Sequence, residues 1–320
     1  MIKFYGLLHL AEGEKSLMNS YAPEFEQQIR LYASNATLLA LTLRNKGIEF
    51  TLITNKKDYL LDIFKEIKGG NTVAIKEIDF EIQIPSGIRF YSDHFKIDLY
   101  RYFSRFDQDN YICYCDLDML VINKVPTTLE YIVRERIPMC YDITEQIIPA
   151  IGHEVMIADM QKLNASAGEG RWSGGEFIAG PPEFFSLLGQ EINSVFDNYL
   201  ANLDNLHHVG SEMFVSVALE QLRRKGMYIA DAGSIGIVGR YWSSRTLHPQ
   251  KPFKYFKNCF LLHLPADKNF LSEFCSRGVI NDSLFLEQYS SQVCSPIAKG
   301  KRLASSALRK ARAKIDTMFS

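Results

Sequence analysis

The sequence predicts an α/β protein whose amino-terminal half is built from parallel strand and helix units and whose second half is less regular. Three observations carry this. Through the first 78 residues, apolar runs of strand length alternate with stretches of helical period, the pattern of parallel α/β units. A further apolar and aromatic run, residues 111–115, ends abruptly in Asp116-Leu117-Asp118. A hydrophobic content of 47% in 320 residues is also enough to bury a sizeable core.

In order, residues 2–10 read as a buried strand and 11–23 as a loop of polar and small residues. Phe25, Ile29, Tyr32, Ala36, Leu39 and Leu43 recur at helical spacing and predict a helix over 24–46, stopped by Asn45-Lys46-Gly47. Strand 48–54, helix 58–67, the Gly69-Gly70 break and strand 73–78 follow. Residues 92–106 predict an amphipathic helix, with Phe95, Leu99, Tyr102, Phe103 and Phe106 apolar and Lys96, Asp98 and Arg101 elsewhere. It leads directly into the strand that ends at Asp116. Beyond Pro126 the elements shorten: loops at 144–154 and 164–175, helices at 184–200 and 212–225, and short strands at 227–230 and 260–264.

Composition narrows the functional classes. A net charge of −1 gives no global attraction to nucleic acid, so no nucleic-acid partner is expected. The apolar run at the amino terminus is short and broken by charge, unlike a signal peptide, and no segment has about 18 uninterrupted apolar residues. The six cysteines form no C-x-x-C pair and sit mostly in apolar surroundings, as free buried thiols in a reducing compartment do. A soluble, cytoplasmic protein without structural zinc is expected.

Residues 297–320 differ in kind. Leu303, Ala307, Leu308, Ala311 and Ile315 fall on one helical face, with seven Lys and Arg side chains outside it against Asp316 alone. The segment carries +6 and leaves about −7 on the rest of the chain. Such a basic amphipathic helix suits the surface of an anionic membrane, which places the protein peripherally on the inner face. A helix packed on its own domain is the alternative.

Asp116 and Asp118 are the sharpest chemical signal. Residues two apart on a strand share a face, with Cα atoms roughly 6.5 Å apart. Both carboxylates can therefore serve one divalent ion, whose oxygen ligands lie at about 2.0 to 2.6 Å, only where the strand ends or bends. Strand ends are also where open α/β sheets bind ligands.

FKIDLYRYF, DLDMLV, WSGGEFIAGPPEFF, GSEMFVSVALEQL and LLHLPADK, in this order over residues 1–270, resemble nucleotide-sugar glycosyltransferases of the GT-A fold. The resemblance is nearest to the retaining enzymes that include bacterial lipooligosaccharide galactosyltransferases and glycogenin. It implies a Rossmann-like nucleotide-sugar-binding half (1–125), an acceptor-binding and catalytic half of the same domain (126–296), and a mixed central sheet. It also implies a manganese or magnesium ion held by Asp116, Asp118 and His263, and a nucleotide-sugar donor, UDP-linked in the nearest relatives. In the family the final His motif continues through Gly, Lys, Pro and Trp; this chain keeps Lys268 and lacks the Gly and Trp.

By the same resemblance, His9, Lys96, Asp98, Arg101 and Lys268 join the two aspartates around the nucleotide sugar. The indole of Trp172, followed by Gly174 and Gly175, offers a plate and a close backbone approach for a sugar acceptor. Glu176 and Glu212 are the candidate catalytic carboxylates, and Glu212 matches the acidic position of the related enzymes better. Each has an ordinary structural alternative: a core hydrogen bond for His263, a solvated helix face for Lys96 and Arg101, a core Trp172, and for Glu212 a place in a first helical turn favoured by the dipole. The glycine-rich run 233–239 lacks the Lys-Ser or Lys-Thr of a phosphate loop and reads as a bent loop.

These readings converge on a metal-dependent transferase moving a hexose to a glycan or lipid-linked acceptor, such as a growing lipopolysaccharide. A sugar-phosphate nucleotidyltransferase and a non-catalytic membrane-associated binding protein are the alternatives; residues 7–14 lack the glycine-rich basic loop of the former.

Overall fold

The computed structural model describes residues 2–11 and 24–294, apart from 245, 247 and 279. The expected loop over 12–23 and the basic helix over 297–320 lie outside the described residues.

The chain runs β1 (Ile2–Leu8), α1 (Phe25–Arg44), β2 (Glu49–Thr54), α2 (Lys57–Glu66), β3 (Ala74–Glu77), α3 (Lys96–Phe103), β4 (Tyr111–Cys115) and β5 (Met119–Val121). It continues through α4 (Thr127–Arg134), β6 (Met139–Asp142), α5 (Thr144–Ile151), α6 (His153–Leu163), β7 (Ser173–Gly180), α7 (Pro182–Ala201) and α8 (Ser211–Arg224). β8 (Ala230–Asp231), β9 (Val238–Arg240), β10 (Leu261–His263), α9 (Lys268–Ser276) and α10 (Asp282–Cys294) complete it.

A seven-stranded sheet has the order β3-β2-β1-β4-β7-β6-β8. β1, β2, β3 and β4 are parallel, as the alternating units predict, and β7 enters antiparallel between β4 and β6. The sheet is therefore mixed. Its central strand β4 is buried at every position, which explains why YICYC carries no polar alternation. A small sheet, β5-β10-β9, stands beside it.

α1 is buried on two sides. Ile29, Ala33, Ala36 and Leu43 join the main core, while Leu38 joins a second cluster with Leu120, Leu262, Leu271 and Phe285 under α9 and α10. The main core runs from Phe4 through Leu261, so the two expected halves share it.

Several elements depart from the sequence reading. Residues 144–154 fold as α5 and the start of α6 rather than a loop; Asp142 receives the Thr144 amide at the α5 start and Gly152, at φ +96°, separates the two helices. A proline within that stretch masks its helical period. β6 and the start of β7 occupy sequence too short or too glycine-rich to read as strands, and they owe their conformation to pairing with each other. The helix expected over 92–106 is α3 over Lys96–Phe103 alone; residues 92–95 belong to a 3-10 turn, Tyr91–Phe95, before it. The run 233–239 is bent as expected, tied to Asp231 through the amides of Gly233 and Ser234. Cys113, Cys115, Cys140, Cys259 and Cys275 are free and buried, and Cys294 is free and exposed. No helix among the described residues is long and apolar enough to cross a membrane.

Candidate active site

β4 ends at Cys115; the Asp116 amide makes the last sheet bond, to the Glu176 carbonyl, at 2.9 Å, and the chain turns at Leu117 and Asp118. Leu117 is buried as the alternation requires, its Cδ2 lying 2.4 Å from where a Cβ on Gly6 would stand, so glycine in β1 leaves room for it. The two aspartates are thereby presented on the other side. β10 pairs antiparallel with β5 in the register His263 to Met119, which sets the imidazole beside Asp118.

One ligand atom each from Asp116, Asp118 and His263 lies within 4.8 Å of the others. His263 Nε2 is 3.1 Å from Asp118 Oδ1, and its Nδ1 is 3.2 Å from Glu176 Oε1. Lys268 Nζ lies 2.5 Å from Asp118 Oδ2, and Lys96 Nζ lies 2.5 Å from Asp93 and 3.5 Å from Asp116. Tyr114 donates its hydroxyl to Asp116 at 2.7 Å. The cluster opens into a cleft of about 250 Å³ bounded by His9, Tyr32, Phe90, Asp93 and the two lysines.

The charges hold one another. Burial works against the charge on Asp118, but Lys268 and His263 outweigh it and keep the carboxyl well below the usual range. Burial raises Asp116, opposed by Lys96 and reinforced by Asp118. Lys96 stays firmly protonated despite burial because Asp116 and Asp93 face it. His263, also against burial, is raised to about 9 by Asp118 and Glu176. Burial opposes the charge on Glu176 too, yet Arg240 and His263 lower it to about 2.

Two carboxylates and an imidazole converging at a strand end fit a divalent ion that accepts mixed oxygen and nitrogen ligands, which manganese tolerates better than magnesium. Asp116 is about one-third exposed toward the cleft, so a bound ion there would remain accessible to a ligand.

The other expected residues sort by where their elements point them. Lys268 and Lys96 reach the cleft. His9 lines it too, stacked on Phe95 at a ring separation of 3.7 Å; burial lowers its pKa to about 4 and keeps it neutral. Among the described residues its Nδ1 has no hydrogen-bond partner. Asp98 and Arg101 face away. Asp98 receives the amides of Glu81 and Ile82 and pairs with Arg101 at 3.0 Å in a separate hollow with Lys76 and Arg105. At 100° per residue, Asp98 lies 200° around α3 from Lys96, so the helix that delivers one to the cleft removes the other.

Trp172 is 1% exposed, so its indole is not an open plate for a sugar. Its Nε1 donates instead to Glu212 Oε2 at 2.9 Å, while the Gly175 amide donates to Glu212 Oε1 at 3.1 Å. Gly175 also accepts from Lys96 Nζ at 2.9 Å. The glycines thus make room for the site's own side chains rather than for a ligand. Glu212 opens α8, its side chain one-fifth exposed, with His208 Nε2 3.6 Å away. Glu176 is 2% exposed and engaged by His263 and by Arg240 at 3.3 Å, so it cannot meet an acceptor hydroxyl.

Asp93, Tyr114 and Arg240 escaped the sequence reading. Asp93 stands three residues before Lys96, a spacing that signals a helical ion pair. Arg240 carries no such signal, because its neighbour His263 is set by the β9 to β10 register alone.

No protein-family model matches the chain, and no curated protein matches it. Solved structures do. The galactosyltransferase LgtC, in complex with donor and acceptor sugar analogues, is 11% identical with a TM-score of 0.50, over 88% of this chain and 98% of that one. Mouse xyloside xylosyltransferase 1 in its apo form is 11% identical with a TM-score of 0.47, over 82% and 96%. The first likeness, together with the mixed central sheet, identifies the fold of this chain as the GT-A fold of the glycosyltransferases.

Proposed function

We propose that the protein is a metal-dependent glycosyltransferase that moves a hexose from a UDP-linked sugar to a glycan or lipid-linked acceptor of the cell envelope, with retention at the anomeric carbon. The observation that carries this reading is the convergence of Asp116, Asp118 and His263 at a cleft whose walls hold Lys96 and Lys268.

In transfer, the bond from the anomeric carbon to the diphosphate breaks with its electron pair going to the leaving phosphate oxygen. The acceptor oxygen forms the new bond, and its proton leaves with the diphosphate. Asp116, Asp118 and His263 would hold the ion, which when bound neutralises diphosphate charge as a Lewis acid. Lys268 and Lys96 add fixed positive charge where negative charge grows, and with Lys96 buried and the Lys268 side chain only 15% exposed each counts for more than in water. Glu212 is the catalytic carboxylate in this reading. Held by Trp172 and Gly175, it faces the positive charge that develops on the sugar ring. Trp172, Gly174 and Gly175 serve as its mounting and that of Glu176, and His9 packs against the nucleotide.

The basic segment 297–320 would keep the enzyme at an anionic membrane carrying its acceptor. The direct test is incubation with a panel of nucleotide sugars, manganese and membrane-derived glycolipid, with product read by mass spectrometry and its anomeric configuration by NMR. A hexose added with the donor's configuration supports the reading; release of pyrophosphate from sugar phosphate and nucleoside triphosphate would indicate a nucleotidyltransferase instead.

A further inference from the structure

We propose that Glu176 is a positioning residue for the metal centre: it accepts a hydrogen bond from His263 Nδ1–H, aims the ring, and so selects Nε2 as the metal-ligating nitrogen. The inference rests on the reading of Asp116, Asp118 and His263 as metal ligands.

The geometry is built from three directions. The carboxylate lies in the core, where β7 pairs with β4 and the Glu176 carbonyl receives the Asp116 amide. One oxygen, Oε1, meets His263 Nδ1 at 3.2 Å and Arg240 Nη1 at 3.3 Å. The guanidinium is fixed from its far side, with Nε and Nη2 donating to Gln146 Oε1 at 3.1 and 2.8 Å. The second oxygen, Oε2, stands 2.1 Å from where a Cβ on Gly174 would be, so the carboxylate occupies its place only because residue 174 is glycine.

An imidazole has two nitrogens, and the hydrogen bond made by one decides which lone pair the other offers. With Nδ1–H given to Glu176, the nitrogen left for a metal is Nε2, the atom already beside Asp118. A carboxylate behind a ligating histidine fixes tautomer and orientation, and its removal costs metal affinity even though it never touches the ion. Arg240 compensates the burial of that carboxylate, which otherwise has no reason to lie 2% exposed in a core. A purely structural Glu176–Arg240 pair would need no contact with the imidazole.

The test measures Mn²⁺ affinity of the full chain in the presence of UDP, from the free-ion electron paramagnetic resonance signal. Glu176→Leu, which has no acceptor for Nδ1–H, and Gly174→Ala are compared with wild type at a temperature where each is folded. Both variants should bind Mn²⁺ about 10 to 100-fold more weakly. A role confined to packing would lower the melting temperature and leave affinity within about threefold, and that result overturns the proposal. A second measurement needs no variant: in wild type loaded with ¹¹³Cd²⁺ and ¹⁵N-histidine, cadmium coupling should appear at Nε2 of His263 with the proton on Nδ1. Cadmium at Nδ1 would also overturn it. If wild type binds no Mn²⁺ at all, the metal-site reading falls and this proposal with it; if wild type binds and the variants bind equally, only this proposal falls.

Discussion

Lys96→Met removes the ammonium that stands between Asp93 and Asp116, and its cost can be worked from the structure. The Lys96 side chain is 5% exposed, while Asp93 and Asp116 are 26% and 33% exposed. Breaking a fully buried pair by deleting one partner costs about 3 to 5 kcal/mol. Because water reaches both carboxylates, about 2 kcal/mol is appropriate here. The Gly175 carbonyl also loses its donor, worth about 1 kcal/mol. At roughly 2 to 4 °C per kcal/mol for a large domain, the metal-free variant should melt about 6 to 12 °C lower. A divalent cation at Asp116 replaces part of the missing charge, so saturating Mn²⁺ should narrow the difference. Calorimetry of wild type and variant, in chelator and in Mn²⁺, reads both effects. An unchanged melting temperature in chelator, or a deficit that Mn²⁺ does not narrow, would refute this account of Lys96.

Three further outcomes are expected. His263 has its folded pKa raised to about 9 from an ordinary 6.5, so its ion pairs stabilise the metal-free protein fully below about pH 6.5 and that contribution is lost as pH rises through about 9. The proton on Nε2 must leave before a metal binds, so apparent Mn²⁺ affinity should rise about tenfold per unit across that window, as read by titration calorimetry; a flat profile contradicts the assignment. Glu212→Gln should lower kcat about 10² to 10³-fold while moving the melting temperature little, since the amide can still receive at least one of its two N–H donors. Deleting residues 297–320 should abolish co-sedimentation with anionic liposomes and leave transfer to a soluble acceptor intact; equal liposome binding would remove the membrane role of the tail.

Much of the fold was legible because buried parallel strands and a long amphipathic helix write themselves into local sequence. The strands β1, β2 and β4 and the helix α1 are of this kind, and so is the break after Cys115 that presents Asp116 and Asp118. His263 was legible only through resemblance, for its strand has three residues and its meaning comes from pairing with Met119. The direction of each α3 side chain was legible in principle from 100° per residue, yet which side faces the cleft is decided by packing on α7. Trp172 illustrates the limit: a large aromatic before two glycines has the composition of a binding plate, and only tertiary structure shows it buried behind Glu212. Arg240 was invisible for the same reason, since the β9 to β10 register sets it beside His263 and packing of the two sheets brings it to Glu176.

The central claim is that Asp116, Asp118 and His263 form a metal site for a nucleotide sugar. Thermal shift with a panel of nucleotide sugars, with and without Mn²⁺, tests it most directly. One donor should raise the melting temperature only when Mn²⁺ is present, and the shift should vanish in Asp116→Ala and Asp118→Ala. If no nucleotide sugar shifts the wild type with Mn²⁺ present, or if both variants shift as wild type does, the claim is contradicted.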